Sequence, residues 1–262
     1  MGITIKTEED IQKLREGGRL LGMILDELEK EVTPGATSLD VDDRAAELLE
    51  EHELEPMILG YQPSFAPRPY PAVTCVSVND VVVHGIPNEE PVTFKDGDVV
   101  SIDLVIGYQG MVLDSARTVI AGQGSEKAKE LLSVTKNALY AAIKAVKPGV
   151  KVSAIGAAEE AVVPKGYGIV EDLCGHGVGY SLHEEPQVPN YVQKGNPGPV
   201  LRPGMVLAIE PMIVQGSKDV VFDTEDGYTV RSKDGGLTAH MEHTVLITES
   251  GSEILTPSQV AR

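Results

Sequence analysis

Two stretches, Lys95-Asp-Gly-Asp-Val-Val-Ser-Ile-Asp103 and Arg202-Pro-Gly-Met-Val-Leu-Ala-Ile-Glu210, repeat one pattern: a cation, a Gly turn, and an apolar run that ends on a carboxylate. A second acid follows each at the head of another β-rich run, Asp114-Ser-Ala-Arg-Thr-Val-Ile120 and Glu242-His-Thr-Val-Leu-Ile247. Most Asp and Glu residues are solvated surface groups, but an acid deep in an apolar strand carries a charge that is expensive to leave unpaired. Asp103 and Glu210 are therefore the first candidates for a functional site, with Asp114 and Glu242 beside them.

Around these strands the chain repeats itself. Thr7-Glu-Glu-Asp10 reads as an N-cap with an acid three residues on, and Ile11, Leu14, Leu21, Ile24, Leu25 and Leu28 keep a helical stripe that ends at Pro34-Gly35. A second helix is expected from Ser38 to about Glu51, a Pro- and aromatic-bearing loop from Pro56 to Pro71 with Tyr61, Phe65 and Tyr70, and strands at about 72–79 and 81–83. Val99 to Ile106 and Met111 to Ile120 then read as a hairpin around Gly107-Tyr-Gln-Gly110. That four-residue loop sets a register in which Asp103 faces Asp114 directly, an unfavourable pairing of like charges. A third helix from Ser125 to about Val146, closed by Pro148-Gly149, and a fourth from Ser153 to about Val163 copy the first half. The expectation is an α+β chain, one catalytic domain over 1–262 with half-domains of about 1–121 and 122–262. An approximate two-fold axis would relate the halves, with the site between them.

With 262 residues, 42% of them apolar, the chain can bury a sizeable core as a soluble globular protein. No stretch approaches the roughly 18 apolar residues of a membrane helix, and the N-terminus lacks a basic-then-apolar signal, so a cytoplasmic location is expected. The 22 Lys and Arg against 40 Asp and Glu leave a net charge of −18, which repels nucleic acid and anionic membranes and attracts cations and positively charged peptides. Cys75 and Cys174 are too few for a disulfide scaffold and read as ordinary buried thiols.

If the four acids converge, their repulsion drives protonation of some members unless a cation is present. Divalent metal is the economical answer, for which two ions about 3.5–4 Å apart are a recurring arrangement. Carboxylates suit Mg and Mn, and an added imidazole shifts the preference toward Mn, Fe, Co or Zn. Of the six His residues, His176 in Gly175-His-Gly-Val-Gly179 sits where glycines permit close approach to a ligand, the alternative being a buried structural His in a Gly-rich strand. His183 in Leu182-His-Glu-Glu-Pro186 and His84 in Val83-His-Gly-Ile-Pro87 are further candidates. By contrast Glu126, Glu130, Glu159 and Glu160 fit exposed helix faces, and His52 the surface.

The ordered set Asp103, Asp114, His176, Glu210, Glu242 resembles the metal-ligand set of the type I methionine aminopeptidases, which have the pita-bread fold. The resemblance covers essentially the whole chain through Ser77-Val-Asn-Asp-Val-Val-Val-His-Gly-Ile-Pro87, Gly175-His-Gly-Val-Gly179, His183-Glu-Glu-Pro-Gln-Val188, Ile209-Glu-Pro-Met212 and Glu242-His-Thr244. It implies that Asp114 and Glu242 bridge two divalent ions (Mn, Fe, Co or Zn), with His176 and Glu210 completing one coordination shell and Asp103 the other. It also implies that Glu210 accepts the proton of the attacking water, that His183 contacts the scissile amide and that His84 lies near the substrate's N-terminal residue. Cys75 matches a wall of the family's Met pocket, and Tyr61 or Tyr70 would supply another. Three positions depart from the family: Leu182 stands where Phe is common, Tyr228 where Trp often does, and His240 in place of a common Gln. The loop from Tyr61 to Cys75 is also long.

The implied activity is removal of initiator Met from nascent chains when the second residue is small, by a monomer of minimal bacterial type. Ribosome association is a further possibility open to such an enzyme, though −18 gives no general attraction to RNA. Two alternatives remain: a prolidase or aminopeptidase P, which usually carries an extra N-terminal domain, and a non-catalytic binding protein, whose signature would be lost ligands.

Overall fold

A computed structural model describes residues 2–64 and 66–260; Phe65 lies outside the described residues. Along the chain run α1 (Glu8–Glu31), α2 (Ser38–Glu51), β1 (Glu55–Pro56), β2 (Cys75–Val78), β3 (Val81–Val83), β4 (Val99–Tyr108), β5 (Met111–Ile120), α3 (Glu126–Ala145) and α4 (Ser153–Glu160). There follow β6 (Tyr167–Ile169), β7 (Gly175–Gly177), β8 (Glu184–Val188), β9 (Val206–Ile209), β10 (Met212–Gln215), β11 (Val220–Phe222), β12 (Val230–Ser232), β13 (Thr238–His240), β14 (His243–Ile247) and β15 (Ser252–Ile254). No helix among the described residues is long and apolar enough to cross a membrane.

Helix starts follow local chemistry. Thr7 and Thr37 each accept from the amide three residues on, while Asp10 and Asp40 reach back to the cap amides, so both first-half helices open on a full capping box. Ser125 caps α3 through the Ala128 amide. The fourth helix lacks a side-chain cap, because Val152 precedes it and offers no acceptor, and it stops at Glu160, three residues short of the expected end.

The first-half hairpin differs from expectation. Tyr108 pairs with Met111, leaving a two-residue turn at Gln109-Gly110 with φ of 49° and 80°, the two positive values of a type I′ turn. The register therefore moves by two: Asp103 lies opposite Ala116, and Asp114 opposite Val105. Both acids still point to one face, as diagonal rather than direct neighbours. Cys75 flanks Asp103 on its other side through the β2 pairing.

The second half builds a hairpin with a longer connection and a break in its ladder. The β9/β14 ladder ends at Ile209 opposite His243, and the β10/β13 ladder begins at Met212 opposite His240. One register runs through both ladders, and continuing it sets Glu210 opposite Glu242 at the gap between them. Pro211 has no amide to donate, which suits an interrupted ladder at that point. Direct opposition of acids, expected in the first half, thus belongs to the second.

Helices back the sheets. The apolar side of α1, with Leu14, Leu21, Ile24, Leu25 and Leu28 fully buried, packs with Ile102, Leu104, Ile106 and Leu113 of the first hairpin. In the second half Leu139, Ala142 and Ile143 of α3 and Ile155 of α4 cover Leu207, Ile209 and Val245. Each such Leu, Ile or Val side chain contributes about 1.5–3 kcal/mol of burial.

Candidate active site

The two halves meet at the acids. Glu242 N donates to Ala116 O at 3.0 Å, and Thr244 Oγ1 accepts from Asp114 N at 3.0 Å and donates to Asp114 O at 2.6 Å. Ser115 Oγ completes the seam by donating to Glu242 O at 2.7 Å. Residues 242–244 thus run beside β5 as a further antiparallel strand would, placing Asp103, Ala116 and Glu242 in one row across three strands. Asp114 stands two residues along on the same face, and the small Ala116 side chain leaves room for three carboxylates around it.

His176 enters from β7, where it pairs with Ala208 and lies diagonal to Glu210. Its Nδ1 is 3.0 Å from Gly177 O. A carbonyl can only accept, so Nδ1 carries the proton and Nε2 is left as a bare lone pair, 3.7 Å from Asp114 Oδ2 and 3.6 Å from Glu210 Oε1. A main-chain carbonyl holding the far nitrogen is the usual support of a metal-ligating imidazole.

Electrostatics make the cluster costly as it stands. Asp103 Oδ1, Asp114 Oδ1 and Glu242 Oε1 are buried without hydrogen-bond partners. Burial pushes Asp114 up to about 7, with Glu210's charge adding to it, and pushes Glu210 up to about 8. Asp103 and Glu242 are raised well above the carboxylate range, by burial first and the Asp114 charge second. Burial also lowers His176 to about 3, so its imidazole is neutral and competent to ligate. Asp114, His176 and Glu242 each present a ligand atom within 4.8 Å of the others, and all three are buried. Orphaned carboxylate oxygens around a neutral, oriented imidazole fit a divalent cation of the N/O-preferring kind.

Over the acids lies a cavity of about 500 Å³ with an apolar side formed by Ile58, Tyr70, Cys75, Leu182 and Tyr228. Tyr70 is a fixed wall: it is 3% exposed, its hydroxyl donates to Thr74 O and Gly85 O, and its ring meets Tyr228 edge-on at 5.0 Å. Tyr61 stands at the mouth, with its hydroxyl 3.1 Å from His183 Nδ1. His183 is open to solvent, yet its ring is 4.5 Å from that of His176. His84 lines the same cavity with φ of 59°, a left-handed conformation that concentrates at functional sites in residues other than Gly. Its imidazole is driven down to about 4, mainly by burial and then by His240 and His183.

All the candidate residues named from sequence therefore gather at one cleft. Two buried residues, His240 and Glu159, were not among those candidates. His240, 2% exposed, sets Nε2 3.4 Å from Glu210 Oε2; its place two residues before Glu242, the period of a strand, was the available signal. Glu159, expected on an exposed face beside Glu126, Glu130 and Glu160, is instead fully buried with both carboxylate oxygens unpartnered. Burial first, then the charges of Glu210 and Glu160, raises it well above the carboxylate range. The other three glutamates are exposed as expected.

The sequence profile of metallopeptidase family M24 matches residues 12–249. A methionine aminopeptidase of Aquifex aeolicus is 45% identical over 258 residues, covering 98% of this chain and 99% of that protein. The crystal structure of a methionine aminopeptidase from Thermotoga maritima superposes with a TM-score of 0.90 at 44% identity, covering 97% of this chain and 99% of that one. The prolidase of Pyrococcus furiosus is more distant, with a TM-score of 0.73 and 26% identity, and the chain spans 66% of it. The pita-bread fold is common to these neighbours, and the chain belongs to metallopeptidase family M24, on its methionine aminopeptidase branch.

Proposed function

We propose that this hydrolase removes the N-terminal Met of nascent chains when the second residue is small, using two divalent ions held by Asp103, Asp114, His176, Glu210 and Glu242. The observation that carries this reading is the convergence of unpartnered carboxylates from both halves on one oriented imidazole, beneath an apolar-walled cavity. Asp114 and Glu242, brought together across the seam between the halves, would be shared between the ions; His176 and Glu210 would hold one and Asp103 the other. When bound, the ions (Mn, Fe, Co or Zn) supply Lewis acidity toward water and the peptide carbonyl.

The chain's own groups do the rest. Tyr70, Cys75, Leu182 and Tyr228 receive the Met side chain, and the acidic floor attracts the substrate's α-ammonium. Glu210 accepts the proton of the attacking water, with its Oε2 turned toward His240. His183, at the mouth with Tyr61, hydrogen-bonds the scissile amide, and the neutral His84 contacts the N-terminal residue of the substrate. The whole chain works as one catalytic domain, halves about 1–121 and 122–262, as a cytoplasmic monomer that can meet its substrates at the ribosome.

Hydrolysis of Met-Ala-Ser against Ala-Pro and Xaa-Pro peptides by metal-stripped protein, with Mn, Fe, Co or Zn added back, tests this. Metal-dependent release of Met alone is the expected result. Cleavage before Pro would move the chain to the prolidase activity, and silence with every metal would leave a binding protein.

A further inference from the structure

Lys6 and Glu184 form a buried ion pair with Nζ 2.7 Å from Oε2 and side chains 1% and 0% exposed. Neither is among the residues that would hold the ions, although Glu184 lines the cavity beside them. Thr4 Oγ1 bonds the same Oε2 and also Lys6 Nζ, while Lys6 N donates to Gly204 O at 2.8 Å, so the segment before α1 is tied down at this point. The other oxygen of Glu184 is the acceptor for two successive amides, Tyr180 N at 2.6 Å and Ser181 N at 3.1 Å. One carboxylate thus gathers both ends of the Tyr180 to Glu184 loop, which carries Leu182 and His183. The Tyr180 ring lies 4.7 Å from Lys6 Nζ and covers it. Gly179 makes the crossing possible: at φ of 134° a Cβ there would sit 2.2 Å from Lys6 Cε.

A buried ion pair is weak evidence for stability, because well-packed apolar residues of similar volume often do as well. Its distinctive property here is geometric, since one fixed Glu184 oxygen accepts from two loop amides at once while the other is held by Lys6 and Thr4. We propose that Lys6 is a positioning residue for the reaction: through Glu184 it fixes the Tyr180 to Glu184 loop and so the reach of His183 over the cleft. This rests on the placement of His183 against the scissile amide given above.

The test compares Lys6→Met, Lys6→Arg and the charge-free double variant Lys6→Met/Glu184→Leu, which also removes the acceptor, each in wild-type and His183→Ala backgrounds, with Mn. Lys6→Met is expected to lower kcat/KM on Met-Ala-Ser roughly ten- to hundred-fold, the scale of a 1 Å misplacement. Mn affinity by calorimetry should fall far less than the rate, because neither Lys6 nor Glu184 is among the proposed ligands. Lys6→Arg should restore most of the rate, and in the His183→Ala background Lys6→Met should cost nothing further. If Lys6→Met does not fold, the double variant is read in its place with the same pattern expected. An equal loss in both backgrounds, Mn affinity falling in step with rate, or an unchanged rate would each overturn the proposal. Hydrogen exchange at the Tyr180 and Ser181 amides reads the clamp without turnover. A wild-type protein that releases no Met would indict the proposed function, whereas unchanged amide protection in Lys6→Met would indict the clamp.

Discussion

The β4/β5 hairpin and the broken hairpin made of β9 and β10 against β13 and β14 perform one task by different means. In the first, an unbroken ladder and a two-residue turn place Asp103 and Asp114 two positions out of direct opposition, so backbone pairing alone sets their separation. In the second, Glu210 and Glu242 oppose one another at a gap in the ladder, and Glu242 is held by the other half through Ala116, Ser115 and Arg117. The first pair is positioned by local geometry, the second by the seam. The seam is therefore where the centre depends on tertiary structure, and a cation bridging it would stabilise the contact between halves.

The largest expected effect tests whether the bridging acids are equivalent despite this difference. Asp114→Ala and Glu242→Ala should each lower turnover by at least about 10³-fold, several kcal/mol of lost transition-state stabilisation, with circular dichroism unchanged. Full activity in either variant would refute its bridging role.

Next in size is the response to pH with and without metal. Asp114 and Glu210 are raised by burial from near 4 to about 7 and about 8. The folded, ion-free protein therefore holds more protons than the unfolded chain between about pH 4 and 8, and its stability falls as pH rises through that window. The slope is about 1.4 kcal/mol per pH unit for each proton concerned. Scanning calorimetry should show the Tm of stripped protein falling from pH 5 to pH 8, and added Mn should raise it most at pH 8. Parallel curves with and without Mn would mean that these carboxylates do not receive the ion.

His183→Ala sharpens the comparison from the cleft side, since His183 lies outside both hairpins. Turnover should fall about 10²-fold with metal content retained, as for loss of one proton-handling or hydrogen-bonding group. Loss of metal in proportion would recast His183 as a ligand.

The smallest effect concerns stability. Glu159→Gln, which removes a buried acid that has no hydrogen-bond partner, should raise stability at pH 8 by about 1–3 kcal/mol. Because the folded-state value of Glu159 is raised, its penalty grows as pH rises above the unfolded value, so the gain should vanish near pH 4. Denaturant unfolding at the two pH values checks this, and a less stable Gln variant would show that the acid has a bonding role.

Most helix boundaries were legible because capping is local: Thr7 with Asp10 and Thr37 with Asp40 form their bonds within four residues of sequence. The acid-ended strands were legible for a related reason, since an apolar run delivering one carboxylate shows burial and function together. The hairpin register was not, because it turns on Gln109 adopting a positive φ that its side chain does not advertise. Nor was the burial of Glu159, which depends on how α4 docks: a Cβ at Gly156 would meet the Tyr191 backbone at 2.5 Å, so the helix lies close against that chain and carries Glu159 inside.

The sequence by itself determined the repeated strand-and-acid pattern, the capped helices and the kinds of donor available for a cation, all consequences of interactions between residues near in the chain. Tertiary structure alone decided the row of Asp103, Ala116 and Glu242, the opposition of Glu210 and Glu242, the turning of His240 toward Glu210 and the clamp of Lys6 on Glu184. Each joins residues that the chain separates by long stretches, and their geometry follows from sheet register and packing of the halves, which no local preference encodes.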